Sequence, residues 1–263
     1  MLKTMELFNN GSRRWVFLGR DPQKPDSLID SNQYLVTEHG KGVLLDPGGL
    51  EIFPSMIAAV SREIDIENIE SLVASHQDPD IISSLSMWYS IKPKLNVYAS
   101  WIWCSFIPHF GGSRELMPIP DEGMTLPLGN SRNLQLVPAH YCHSSGNFSL
   151  YDPVAKILFS GDIGAALVPP DFPCFVEKFD DMPAYMEGFH KRWMPSNRAK
   201  NDWIRRVRAL DIDMMVPQHG AIFRGKDVQR FLDWFETIQV GSAVGISGAP
   251  EPAKPRKRET ANA

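Results

Sequence analysis

Residues 76–80 read His76-Gln77-Asp78-Pro79-Asp80. Successive side chains of an extended stretch alternate between faces, so this spacing turns His76, Asp78 and Asp80 the same way. Two carboxylates and an imidazole crowded on one surface are unfavourable unless a cation neutralises them. A local reading competes: Asp before Pro starts a helix well, with Asp78 as N-cap and Pro79 as the first helical residue. The preceding run helps to decide. Residues 71–75, SLVAS, read as a buried strand, so the candidate ligands begin where a strand ends.

Three more segments repeat that pattern. LQLVPA (134–139) is followed by His140 and His143, KILFS (156–160) by Gly161 and Asp162, and MMVP (214–217) by Gln218 and His219. Neighbouring strands lie about 5 Å apart, so residues just past the same ends of adjacent strands converge on one small volume. Ligands of open α/β proteins gather outside the carboxyl ends of strands. A lone histidine is usually a packed or hydrogen-bonded residue; four such segments point to one site.

Working outward, residues 15–19, 34–37, 42–46, 95–99 and 148–151 also read as strands, rich in Val, Leu and aromatics. Pro47-Gly48-Gly49 stops the third of these runs. Residues 53–64 have helical spacing, with Met56, Val60 and Ile64 on one side. Further helices are expected over 80–91, 183–193, 198–210 and 226–238. The stretch 101–112 reads as a loop or short helix. Its Trp101, Trp103, Phe106 and Phe110 are expected to pack, with a pocket wall or a dimer contact as alternatives.

The chain has 263 residues, 43% of them hydrophobic, enough for one large core. Residues 1–240 are expected to form it. Residues 241–263, rich in Gly, Ala, Pro and charge, read as a disordered tail. Net charge is −4. The tail carries four cations against two carboxylates, about +2, which leaves the body at about −6. An acidic body argues against nucleic acid as a partner. Three cysteines at wide spacing make no disulfide framework. The N-terminus has no apolar signal region, and no apolar run approaches the ~18 residues of a membrane span. A cytoplasmic protein is the expectation.

The HxDxD of residues 76–80, His143, the Ser160-Gly161-Asp162 turn and Pro217-Gln218-His219-Gly220 together resemble the metallo-β-lactamase superfamily. Leu45-Asp46-Pro47-Gly48 is similar to its early strand-turn. A carboxylate after the first His is similar to the flavodiiron proteins, and within them to the oxygen-binding diiron branch. The resemblance spans residues 19–238. It implies a metallo-β-lactamase-type αββα four-layer sandwich of the α/β class. It also implies His76, Asp78 and His143 on a first iron, Asp80 and His219 on a second, and Asp162 between them. One position departs: where zinc hydrolases of the superfamily and many flavodiiron proteins have a second His after the last Asp, this chain has Ile81. The second metal then has one protein ligand fewer.

Three imidazoles with three carboxylates and no thiolate suit two Fe ions, with Zn or Mn as alternatives, because anionic oxygen ligands favour harder ions. The resemblance implies a non-haem diiron protein that binds O2 or NO, sensor-like or reducing its ligand as an oxidoreductase. About 25 residues follow the last expected helix, too few for a folded flavin domain. No flavin is therefore expected in this chain, and electrons would come from a separate donor protein. A homodimer is a further expectation of the resemblance. The alternative is a dinuclear metallo-hydrolase of an ester, thioester or phosphodiester, with metal-activated water as nucleophile.

Other residues receive plainer readings. Asp46 reads either as a hydrogen-bond partner of a ligand histidine or as a turn cap. His140 reads as a strand-end structural residue, with an outer donor to the metal site as the alternative. His190, near Phe189 and Trp193, reads as structural, and His39 and His109 as loop residues. Cys142 is expected to be a small buried residue. Asp171, Glu177, Asp180 and Asp181 read as a solvated loop.

Overall fold

Alternation along the strands sorts the apolar side chains onto opposite faces, and both faces are covered. The computed structural model describes residues 2–21, 28–110, 115–129 and 133–244. One sheet holds seven strands in chain order: β1 (Met5–Asn9), β2 (Arg13–Phe17), β3 (Tyr34–Glu38), β4 (Lys41–Leu45), β5 (Ile69–Val73), β6 (Asn96–Ser100) and β7 (Met117–Ile119). The other holds six: β8 (Met124–Leu126), β9 (Leu134–Pro138), β10 (Phe148–Asp152), β11 (Ile157–Gly161), β12 (Met214–Pro217) and β13 (Phe223–Arg224). The helices are α1 (Phe53–Glu63), α2 (Pro79–Ile82), α3 (Leu85–Ile91), α4 (Pro183–Trp193), α5 (Asn197–Val207) and α6 (Lys226–Thr237).

Three apolar layers follow from the alternation. Trp15, Phe17, Val43 and Val73 of the first sheet meet Leu136, Leu150, Phe159 and Val216 of the second between the sheets. Val16, Leu44 and Leu72 face the other way, onto Met56 and Val60 of α1 and Leu85 and Trp88 of α3. Val137, Leu158 and Met215 face Met186 of α4, Trp203 of α5 and Phe231 and Phe235 of α6. This is the αββα sandwich, and each such side chain removed from water contributes about 1.5–3 kcal/mol.

A buried ion cluster pins the sheets together. Arg13 of β2 pairs with Glu38 of β3 at 3.0 Å and crosses to Asp152 of β10 at 2.8 Å. Trp15 Nε1 donates to the other oxygen of Asp152 at 2.7 Å.

The structure differs from the sequence reading in three places. β1, β7, β8 and β13 were not anticipated; they are short and partly exposed, so alternation over them is faint. The single helix over 80–91 is two helices. At the break, Ser84 Oγ donates to Gly48 O at 2.6 Å and Ser83 Oγ accepts from Leu50 N at 2.9 Å, tying this corner to the Pro47-Gly48-Gly49 turn. Residues 101–110 contain two short 3-10 turns, Trp101–Trp103 and Ile107–Phe110. Trp101, Phe106 and Phe110 are exposed rather than packed, and only Trp103 is half-buried against the core. The expected tail lies, from residue 245 onward, outside the described residues. No helix among the described residues is long and apolar enough to cross a membrane.

Candidate metal centre

Strands β4 and β5 are parallel, as are β11 and β12, and β9 and β11 both run antiparallel to β10. The carboxyl ends of β5, β9, β11 and β12 therefore share one rim. The first sheet meets the second there, where Phe148 N donates to Ser75 O at 3.0 Å.

Past the end of β5 a polar chain sets His76. Ser75 N and Ser75 Oγ both donate to the Asp46 carboxylate at 2.7 Å, and Ser75 Oγ lies 2.9 Å from His76 Nδ1. With its proton given to Asp46, the hydroxyl accepts from His76. In the neutral ring Nδ1 would then carry the proton, which leaves Nε2 as the nitrogen that can bind a metal. Asp46 thus reaches His76 through Ser75. His76 Nε2 is buried without a hydrogen-bond partner, 3.6 Å from both Asp78 Oδ2 and Asp162 Oδ2.

Asp78 occupies the N-cap position of α2, in extended conformation, yet its side chain makes no cap bond. Asp78 Oδ2 turns instead to His143 Nε2 at 2.9 Å. His143 is 3.7 Å from Asp162 Oδ2 and has φ of 84°, a left-handed conformation uncommon for a residue with a Cβ. Such conformations persist where the surroundings over-determine them, often at sites of function. Asp162 follows Gly161, whose φ of 59° suits glycine.

On the far side, Asp162 Oδ1 lies 3.4 Å from His219 Nε2, and Asp80 Oδ2 lies 3.5 Å from the same nitrogen. His219 Nδ1 donates to Asp30 O. A carbonyl only accepts, so this ring too leaves Nε2 facing the carboxylates. Gln218 Nε2 donates to Asp80 Oδ2 at 2.9 Å. Ile81 is fully buried in the apolar layer beneath the helices.

The electrostatics follow from this crowding. Burial works against the charged form of His76, but the carboxylates of Asp162, Asp78 and Asp46 outweigh it and raise its pKa to about 9. His219 rises to about 9 in the same way, burial being overridden by Asp162 and Asp80. Burial would lift Asp162, yet His76, His219 and His143 hold it at about 2. Asp78 is also held low, its burial outweighed by the hydrogen bond from His143 and by the charge of His76 close by. Burial raises Asp80, and it brings Asp46 to about 7 against the pull of His76 and Ser75.

The side chains present fit a cation pair. One ligand atom each from His76, Asp78, His143 and Asp162 lies within 4.8 Å of the others, and Asp162 Oδ1 joins His76 Nε2 among the buried atoms without a hydrogen-bond partner. Asp80 and His219 could complete a second position beside Asp162. His140 is not brought to this group: its Nε2 lies 2.8 Å from Asp121 O and its ring packs on Phe148.

Sequence reasoning missed the wall of the site. Phe189 and Trp193 stack at 5.7 Å, and both rings face His143. Their i, i+4 spacing on α4 was the available signal. Ser75 and Gln218 were also missed as partners, because neutral polar residues carry no ligand signature. His190 is fully buried between Met186 O and Gly164 N, and burial pushes its pKa down to about 4. His39 and His109 are exposed, Cys142 is buried, and Tyr151 donates to Asp211 O away from the rim.

Residues 29–220 match the family model described as ODP family beta lactamase. A solved structure described as the peroxy diiron species of chemotaxis sensor ODP is 40% identical and covers 90% of this chain and 97% of its own, with a TM-score of 0.82. The apo state of chemotaxis sensor ODP from T. denticola is 39% identical, covers 92% of this chain and 97% of its own, and has a TM-score of 0.83. Flavo-diiron protein FprA2 from Clostridium acetobutylicum is 24% identical over 79% of this chain. The chain spans 54% of the length of that curated relative.

Proposed function

This chain belongs to the ODP family of the β-lactamase fold, and on that premise we propose that it is a non-haem diiron protein that binds O2, or NO, in a sensor-like role. One observation carries the reading. Three imidazole Nε2 atoms and three carboxylates meet at 2.9–3.7 Å on one rim. Two buried atoms among them have no hydrogen-bond partner. His76, Asp78 and His143 would hold one iron, Asp80 and His219 the other, and Asp162 would contact both. The names of the two ODP structures, a chemotaxis sensor and a diiron species, support this reading.

Bound iron would supply a redox-active centre for a diatomic ligand. The protein's part is positional. The Asp46–Ser75 and Asp30 contacts hold the imidazole tautomers, and Phe189 and Trp193 cover the His143 side. Used as a reductase, the same site would take electrons from a donor protein. Zinc or manganese would make the dinuclear hydrolase the better account. The test is anaerobic purification with metal analysis, then admission of O2 while the visible spectrum is followed. About two irons per chain and a new absorption band are expected. Zinc in place of iron, with ester hydrolysis and no band, would overturn the reading.

A further inference from the structure

We propose that Gln77 is a positioning residue for Asp78, the inner end of a hydrogen-bond chain that runs through Ser144 to Trp103. The inference rests on the reading that Asp78 holds a metal. Asp78 Oδ2 faces His143 and His76, while its other oxygen, Oδ1, accepts from Gln77 Nε2 at 3.0 Å. A carboxylate only accepts, so the amide nitrogen of Gln77 faces Asp78 and the amide oxygen faces Ser144. Ser144 Oγ donates to that oxygen at 2.5 Å, and Trp103 Nε1 donates to Ser144 Oγ at 3.2 Å.

The direction of every bond is fixed by its ends: an indole N–H can only donate and a carboxylate can only accept. Each bond polarises the next, so the chain strengthens the last donation to Asp78. Its three members come from three segments: the turn after β5, the β9–β10 loop and the 3-10 turn after β6. Ser144 is buried and directly follows His143, so one chain sets two neighbouring groups of the site. Held at Oδ1, Asp78 keeps Oδ2 turned inward. Without Gln77 the carboxylate keeps only its Oδ2 contacts, to His143 and His76.

Cobalt(II) is the probe, because its visible band reports ligand geometry without oxygen chemistry. Wild type, Gln77→Leu and Ser144→Ala are titrated with cobalt(II) alone, and each metal-free protein is checked by circular dichroism and thermal melting. Gln77→Leu is expected to weaken binding about 10–100-fold and to alter the band, with Ser144→Ala moving both in the same direction by less. A merely structural role would lower the melting temperature and leave the band of the bound form unchanged. Wild-type affinity and band in both variants would overturn the inference while leaving the metal site standing. Failure of wild type to bind cobalt(II) would overturn the site itself, and the inference with it.

Discussion

Two imidazoles that are charged in the metal-free protein must be neutral to bind a metal. His76 and His219 both titrate near 9 when folded and near ~6.5 when unfolded. Their pairing with the carboxylates therefore contributes stability that is fully present below pH ~6.5 and lost as pH rises through about 9. Metal binding at pH 7.5 is expected to release about two protons, and apparent affinity should climb with pH up to about 9. Calorimetric titration in buffers of different ionisation enthalpy measures the release; heats independent of buffer would contradict the protonation assigned to these rings. At this scale the spacing after strand ends picked out side chains that the fold brings together, while the choice of His143 over His140 came from the resemblance. The groups that aim them were not legible. Asp30 acts through a backbone carbonyl, and Ser75, Gln77 and Gln218 act through neutral side chains that occur anywhere on a surface.

Strand ends were legible where an apolar run stopped at turn or polar residues, and helix breaks were not. Residues 80–91 read as one helix, because the serine hydrogen bonds to Gly48 and Leu50 that divide it come from a distant turn. The same blindness hid Arg13, whose partners Glu38 and Asp152 lie 25 and 139 residues away. Arg13 is fully buried between the sheets, and truncating it removes the guanidinium that pairs with the Glu38 and Asp152 carboxylates. Arg13→Ala is expected to cost about 3–5 kcal/mol in urea unfolding. Combining Arg13→Met with neutral replacements of Glu38 and Asp152 should recover much of that loss. If Arg13→Ala unfolds like wild type, the cluster does not hold the sheets together. Because this cluster is remote from the metal rim, metal stoichiometry in the folded variant should stay unchanged.

Over the whole molecule, two twisted sheets packed face to face bring four strand ends from distant parts of the chain to one edge. The apolar layers on both faces anchor the strands that end at this edge. Each ligand-bearing turn begins at a strand buried on both faces, so the rim can hold charged groups a few ångströms apart. The strands were legible as apolar runs bounded by turn residues, the αββα arrangement came from the family resemblance, and the short edge strands stayed hidden because little of them is buried. The unexpected exposure of Trp101, Phe106 and Phe110 belongs to this scale as well, since a sequence does not show which apolar residues the layers leave uncovered. The central claim is that His76, Asp78, Asp80, His143, Asp162 and His219 enclose two iron ions. Anomalous diffraction at the iron edge, from crystals grown without air, tests it most directly. Two peaks on either side of Asp162, one toward His76 and His143 and one toward His219, are predicted; iron peaks elsewhere, or none among these six side chains, would contradict it.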